Sequence, residues 1–245
     1  MIDISYLKDT THWKRLHSTV FFDTEFVGIK KNFSKLTKAQ KEATAHQWRS
    51  DKFLGFKEME AEKKTTPAKY WQTNAGLTHF TKVICISVGY FNDGEFRKSS
   101  FIAADDYDGV NMLKDFEKFI QNRQFKSLCA HHLDADVRAI TKECIRLGQL
   151  MPLKIRLMLN LTPWQYNDIG GIAFCTNRLA SKFYGRFVRL SDLCAILGVP
   201  TSKDDIDGSQ VHKEFYKGNI DRILTYCEKD VEATAAVFVK MLPYL

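Results

Sequence analysis

Apolar and polar positions change rhythm several times along the chain, and each change predicts an element. Val20-Phe21-Phe22-Asp23-Thr24-Glu25-Phe26-Val27 is a short apolar and β-branched run broken by two acids, and it predicts a first strand over residues 20–27. Residues 38–64 hold helix formers, no Pro and one Gly, which predicts one or two exposed helices. Lys82 to Tyr90 is almost continuously apolar over strand length, the pattern of a buried strand. Asn92-Asp93-Gly94 is a hairpin turn signal, so a third strand is expected over 95–103. Val110, Leu113, Phe116, Phe119 and Ile120 have helical spacing. A fourth strand is expected over 125–131. A helix over 134–148 should follow it, with Gly148 at its end. A short helix is expected over 190–197, capped near Ser191 and stopped by Gly198-Val199-Pro200, and then a long helix over 220–241. Residues 160–189 have little rhythm: Trp164 to Asp168 is the expected last strand, and the rest reads as irregular.

Hairpin-connected strands followed by strand–helix alternation predict an α/β fold, a mixed sheet with helices on its faces. The chain has 245 residues, 44% of them hydrophobic, enough for one domain with an insertion. The expectation is a single domain over 1–245, with a basic helical insertion at about 30–80 after the first strand. No apolar run is long enough to span a bilayer, and Met1 to Ser5 begin no secretory signal, so a cytoplasmic protein without a membrane partner is expected. The six cysteines form no Cys-x-x-Cys knuckle and read as reduced, buried thiols rather than a zinc site. The net charge is +7, and residues 30–69 carry eleven Lys or Arg against five acids, so six of those seven charges lie there. Walker, His-Glu-x-x-His and Gly-x-Ser-x-Gly motifs are absent, which excludes nucleotide-triphosphate, zinc-protease and serine-hydrolase chemistry of those kinds.

Three groups of acids stand where a buried fold does not welcome them. Asp23 and Glu25 are two apart in a strand and point to one face. Like charges side by side repel unless a cation joins them, and oxygen-only ligands suit Mg2+ or Mn2+. An edge strand with one polar face would also carry such a pair. In His131-His132-Leu133-Asp134-Ala135-Asp136, an apolar strand runs into two acids at a helix start, where the dipole favours carboxylates and Asp134 would serve as a plain cap. Tyr226 and Asp230 are four apart on the last helix and share a face, so a phenol that holds a water could stand one turn from a metal-binding carboxylate. A packed tyrosine and an exposed acid would show the same spacing.

Taken in order, Asp-x-Glu, an Asp after a central strand and Tyr-x-x-x-Asp resemble the pattern of the DEDD exonucleases, in their tyrosine subclass. Thr225 stands where the histidine subclass would place its histidine. The chain further resembles predicted stand-alone bacterial or phage exonucleases related to the proofreading domain of family-B DNA polymerases. Lys82 to Phe91, Pro163-Trp164, and Pro200 to Val211 leading into Tyr226-Cys227-Glu228-Lys229-Asp230-Val231 carry that likeness over about residues 18–240. The resemblance implies an RNase H-like (DnaQ-like exonuclease) fold in which Asp23, Glu25, Asp136 and Asp230 bind two divalent ions, Mg2+ or Mn2+. Asp134 is the alternative ligand to Asp136. The implied activity is 3′→5′ exonucleolytic hydrolysis of single-stranded nucleic acid, DNA favoured over RNA, to nucleoside 5′-monophosphates, as in DNA repair. The two ions would flank the scissile phosphate roughly 3.5–4 Å apart. Asp23 would bridge them, Glu25 and Asp230 would complete the first site, Asp136 would hold the second, and Tyr226 would orient the attacking water.

Basic groups follow phosphates, and aromatic rings stack on unpaired bases. Phe26, Lys30, Lys31, Trp48, Arg49 and Trp71 are therefore candidate strand contacts, with Tyr70 beside them; Arg178 and Arg186, interleaved with Phe183, Tyr184 and Phe187, form a second group. Aromatics packing a solvated helical arm onto the body would give the first pattern too. Asp204, Asp205 and Asp207 read either as a structural turn or as a guide for the strand. Two other functions stay open at this point: a binding module that has lost catalysis, and an exoribonuclease or oligonucleotide-degrading enzyme. The chain ends after its last predicted helix, so no fused polymerase is expected, and protein partners are not indicated.

Overall fold

The computed structural model describes residues 2–8, 10–53, 66–74, 76, 78–122, 125–168, 171–201 and 205–245. A short helix, α1 (Thr11–His17), leads into β1 (Thr19–Gly28). Two helices follow, α2 (Lys38–Phe53) and α3 (Pro67–Asn74). The part of the predicted helical stretch that falls on 54–65 lies outside the described residues. The long β2 (Thr81–Asn92) turns through Asp93 and Gly94 into β3 (Glu95–Ile102). Both turn residues have positive φ, 50° and 84°, the conformation that Asp-Gly suits in a tight hairpin. Next come α4 (Asp106–Asn122), β4 (Ser127–Ala130), α5 (Leu133–Arg146), α6 (Leu153–Leu159) and β5 (Ala173–Cys175). The remainder is helical: α7 (Thr176–Tyr184), α8 (Leu190–Leu197), α9 (Gly208–Phe215) and the long α10 (Ile220–Met241).

The five strands form one mixed sheet in the order β3-β2-β1-β4-β5, with β1 at its centre. β1 pairs antiparallel with β2 and parallel with β4. This α/β arrangement is compatible with the RNase H-like fold that the resemblance implies. Alternation along β1 divides the core. Val20 and Phe22 face the layer of α4 and α5, where Met112, Phe116, Val137 and Ile140 are buried. Phe21 faces α10, where it meets Phe238 edge-on at 5.5 Å and packs with Val231 and Ala235. Burying each such ring contributes roughly 1.5–3 kcal/mol. α10 is therefore held against the face of β1 that also bears Asp23 and Glu25.

Several expectations need correction. Trp164 to Asp168 is not a strand: Pro163–Gln165 forms a single 3-10 turn, and Trp164 is exposed. The strand is Ala173–Cys175, paired parallel with β4. Asn167, at φ 66°, accepts through Oδ1 from the Cys175 N–H (2.9 Å) and donates through Nδ2 to the Cys175 carbonyl (3.2 Å). It thus serves the open edge of β5 as a neighbouring backbone would. Part of the stretch read as irregular is α7, which ends on Gly185 at φ 70°. Ser191 lies inside α8 rather than capping it, and Asp134 lies inside the first turn of α5, whose N-cap is His132.

Candidate active site

The pairing of β1 with β4 runs from Thr19 to Phe21, opposite Ser127 to Cys129. Asp23 and Glu25 lie beyond it, paired on the other side with Ser87 and Cys85 of β2. The space past the end of β4 is where α5 begins. Thr24, pointing toward α5, donates from Oγ1 to Asp136 Oδ1 at 2.7 Å. α10 supplies the opposite wall: Val231, Ala235 and Phe238 anchor it at helical spacing, and the same face continues one turn back through Asp230, Cys227 and Tyr226. Residues from both helical layers thus meet at the middle of the central strand, just past its pairing with β4.

The electrostatics record that convergence. Burial pushes the Asp23 carboxyl well above its ordinary range, and the charges of Asp136, Asp230 and Glu25 push it further. Asp136 rises to about 7, chiefly through burial; Thr24 opposes the shift by hydrogen bonding and Asp230 adds to it. Glu25, Asp136 and Asp230 are all buried. The Tyr226 phenol is driven far up by burial and by Asp230, Glu25 and Asp23 around it, so it stays a hydrogen-bond donor at every physiological pH. Two like charges about 4 Å apart repel by roughly 4 kcal/mol at an effective dielectric constant near 20. A divalent cation would convert that repulsion into attraction.

The donor set fits such an ion. Asp23, Glu25 and Cys227 each present one ligand atom, all within 4.8 Å of one another. Asp136 Oδ2 is buried without a hydrogen-bond partner, while its other oxygen is held by Thr24. Buried carboxylate oxygens are rarely left so unless something outside the protein completes them.

Asp134 is engaged elsewhere. It accepts from Tyr166 Oη at 2.7 Å and from Arg178 at 3.2 Å. Partial burial would raise its carboxyl, but these bonds, with Arg138, hold it lowered. The structure therefore brings Asp136, not Asp134, against β1. Thr24 and Cys227 were missed in the sequence; Cys227, one residue from Tyr226 and three from Asp230, carries a spacing signal that could have found it.

The basic and aromatic residues divide into two kinds. Trp71 is fully buried against Leu36, with Ile29, Phe33 and Phe80 beside it, and its indole N–H donates to the Lys30 carbonyl at 3.2 Å. Tyr70 is buried as well. Neither ring can stack on a base, so the expectation for Trp71 is corrected: it pins the segment after β1. His212 joins that segment to α9, accepting from the Gly28 N–H and donating to the Lys31 carbonyl. The side chains of Lys30, Lys31 and Arg49 are exposed, and those of Phe26 and Trp48 half-buried. Around α7, Arg186, Phe183, Tyr184 and Phe187 are exposed, and the Arg178 guanidinium lies 5.3 Å from the centre of the Phe187 ring. Asp205 and Asp207 have structural roles: Asp205 takes both arms of Arg222 at 2.6 Å, and Asp207 caps α9 in a capping box with Gln210. Asp204 lies outside the described residues.

A family model described as a predicted 3′-5′ exonuclease related to the exonuclease domain of PolB matches residues 176–244. The matched span runs from α7 through α10. It contains Tyr226 and Asp230 and leaves out Asp23, Glu25 and Asp136. No curated protein matches the chain. Over that span, under a third of its length, the chain is similar to a predicted 3′-5′ exonuclease family. None of the six cysteines forms a disulfide and all are buried, and among the described residues no helix is long and apolar enough to cross a membrane.

Proposed function

We propose that this chain is a 3′→5′ exonuclease of the tyrosine DEDD type, acting on single-stranded nucleic acid, with DNA the favoured substrate and nucleoside 5′-monophosphates the product. The observation that carries the reading is the meeting of Asp136 and Asp230, from opposite helical layers, at the Asp23 and Glu25 pair of the central strand. The match to a predicted 3′-5′ exonuclease family over residues 176–244 supports it independently.

In this reading Asp23, Glu25, Asp136 and Asp230 hold two Mg2+ or Mn2+ ions. Bound there, the ions supply charge neutralisation at the phosphate and make water a better nucleophile at neutral pH. Asp23 reaches toward both sides of the cluster. The Oδ2 of Asp136, which has no hydrogen-bond partner, is the oxygen available for coordination, and Thr24 holds the other oxygen. Tyr226 donates a hydrogen bond that orients the water. The exposed groups around α7, next to Asp134 through Arg178, bind the strand leading to the scissile end. Phe187 offers a ring for stacking, and Arg186 meets phosphate.

The test is degradation of 5′-labelled single-stranded DNA and RNA with Mg2+, Mn2+ or EDTA, beside the Asp23→Ala protein. The expected result is a ladder shortening from the 3′ end, stronger on DNA, and lost with EDTA and in the variant. Metal-dependent cleavage retained by Asp23→Ala would sink the assignment.

A further inference from the structure

Cys227 has no part in the proposed hydrolysis, yet it sits in the middle of the site. It is fully buried on α10, with Sγ 3.4 Å from Asp23 Oδ2 and 3.6 Å from the Asp23 carbonyl oxygen. Cys85, which stands directly across from Glu25 on β2, interacts with this thiol. One donor atom each from Asp23, Glu25 and Cys227 already lie within 4.8 Å of one another. Zinc binds sulfur at about 2.3 Å and carboxylate oxygen at about 2.0–2.2 Å, so small side-chain rotations suffice to place all three on one ion. Asp136, whose charge acts on Asp23, has a buried Oδ2 without a hydrogen-bond partner.

We propose that Asp23, Glu25 and Cys227 form a binding site for a thiophilic divalent cation, Zn2+ or Cd2+, and that its occupation blocks hydrolysis; the blocking half rests on the exonuclease reading, the binding half on geometry alone. An oxygen-only site favours Mg2+ and Mn2+, whereas one thiolate shifts preference toward softer ions. Coordination forms a sulfur–metal bond as the thiol proton passes to water, and no electrons are transferred. The site is invisible to Cys-x-x-Cys spacing because its ligands come from β1 and α10. A thiophilic ion held by Asp23 and Glu25 removes both carboxylates from the pair of ions that hydrolysis needs.

The experiment titrates the metal-free full chain with Cd2+ and follows the ultraviolet thiolate-to-cadmium charge-transfer absorption. The band is expected to saturate at a single cadmium per chain and to be absent with Mg2+. It should disappear in Cys227→Ser and persist in Cys194→Ser, whose thiol lies in a separate cluster between α8 and α10. Circular dichroism melts report whether Cys227→Ser folds. If it does not, Asp23→Asn replaces it, with half-saturation expected at about tenfold more Cd2+ or higher, the loss of at least about 1.4 kcal/mol. No band in the native chain, a band kept in folded Cys227→Ser, or an unchanged Cd2+ requirement in Asp23→Asn overturns the proposal. Strong Mg2+-dependent cleavage with no band removes the cation site and leaves the exonuclease. A saturable band without cleavage under any condition does the reverse.

Discussion

At the scale of single residues, the site is held together by few bonds and much repulsion. Asp136 makes this measurable. Its carboxyl rises to about 7 from an ordinary 3.8, so the folded protein holds a proton that the unfolded chain gives up. That contribution to stability is complete below about pH 4 and is lost as pH climbs through about 7. Asp23 shifts in the same direction and adds to the slope. Metal-free protein should therefore weaken over this window in urea melts. Asp136→Asn should flatten the decline, and Mn2+ should restore stability most at the alkaline end. A native protein whose stability in EDTA does not fall from pH 4 to 8 would contradict the buried cluster. Asp23 and Glu25 stood out in the sequence because charges in an apolar strand are conspicuous. Thr24 was not, because a threonine in a strand needs no explanation until its hydroxyl is seen 2.7 Å from Asp136.

At the scale of elements, legibility followed length. β1, β2, α4 and α10 are long enough for their apolar period to stand out, and each appears close to where the sequence predicts it. β5 has three residues, too few for any period, and its pairing depends on Asn167 folding back from a turn. α7 starts directly after β5 with no side-chain cap, and neither α6 nor α9 exceeds eight residues. Tertiary packing, not local pattern, decides such pieces. The contact that seats α10 was likewise hidden. Gly89 of β2 lies so close to α10 and β3 that an added Cβ would stand 2.3 Å from the Phe96 ring and 2.8 Å from Val231 Cγ1. Gly89→Ala should cost about 1–3 kcal/mol through overpacking. It should also slow cleavage by on the order of a hundredfold, since α10 carries Tyr226 and Asp230 and small misplacements are costly. Urea melts and single-turnover rates check both effects. A destabilised protein with unchanged rate would mean that the helix seat is not coupled to the site.

At the scale of the whole molecule, charge and chemistry lie in different places. The net charge of +7 sits mainly in residues 30–69, while the acids gather about the middle of the central strand. Around α7 a separate basic and aromatic group stands, with Arg178 tied to Asp134 and lying over Phe187. Phe187→Ala should weaken binding of a single strand by about 1–3 kcal/mol per stacked base, with the rate at saturating substrate preserved. Arg186→Ala should lower the salt dependence of binding by roughly one phosphate contact. Fluorescence anisotropy at several salt concentrations separates the two. Unaltered affinity in both variants would move the strand's path to the Lys30, Lys31 and Arg49 side.

The acids of the site lie between residues 23 and 230, and the central strand carries its pair near the start of that interval. Synthesis on the ribosome is vectorial, so β1 emerges long before the helix that brings Tyr226 and Asp230 to it. No nascent chain shorter than that interval can assemble the full acid set. On the exonuclease reading, a chain built in this order has no complete metal-binding set during most of its synthesis, and the site closes only when its last wall arrives.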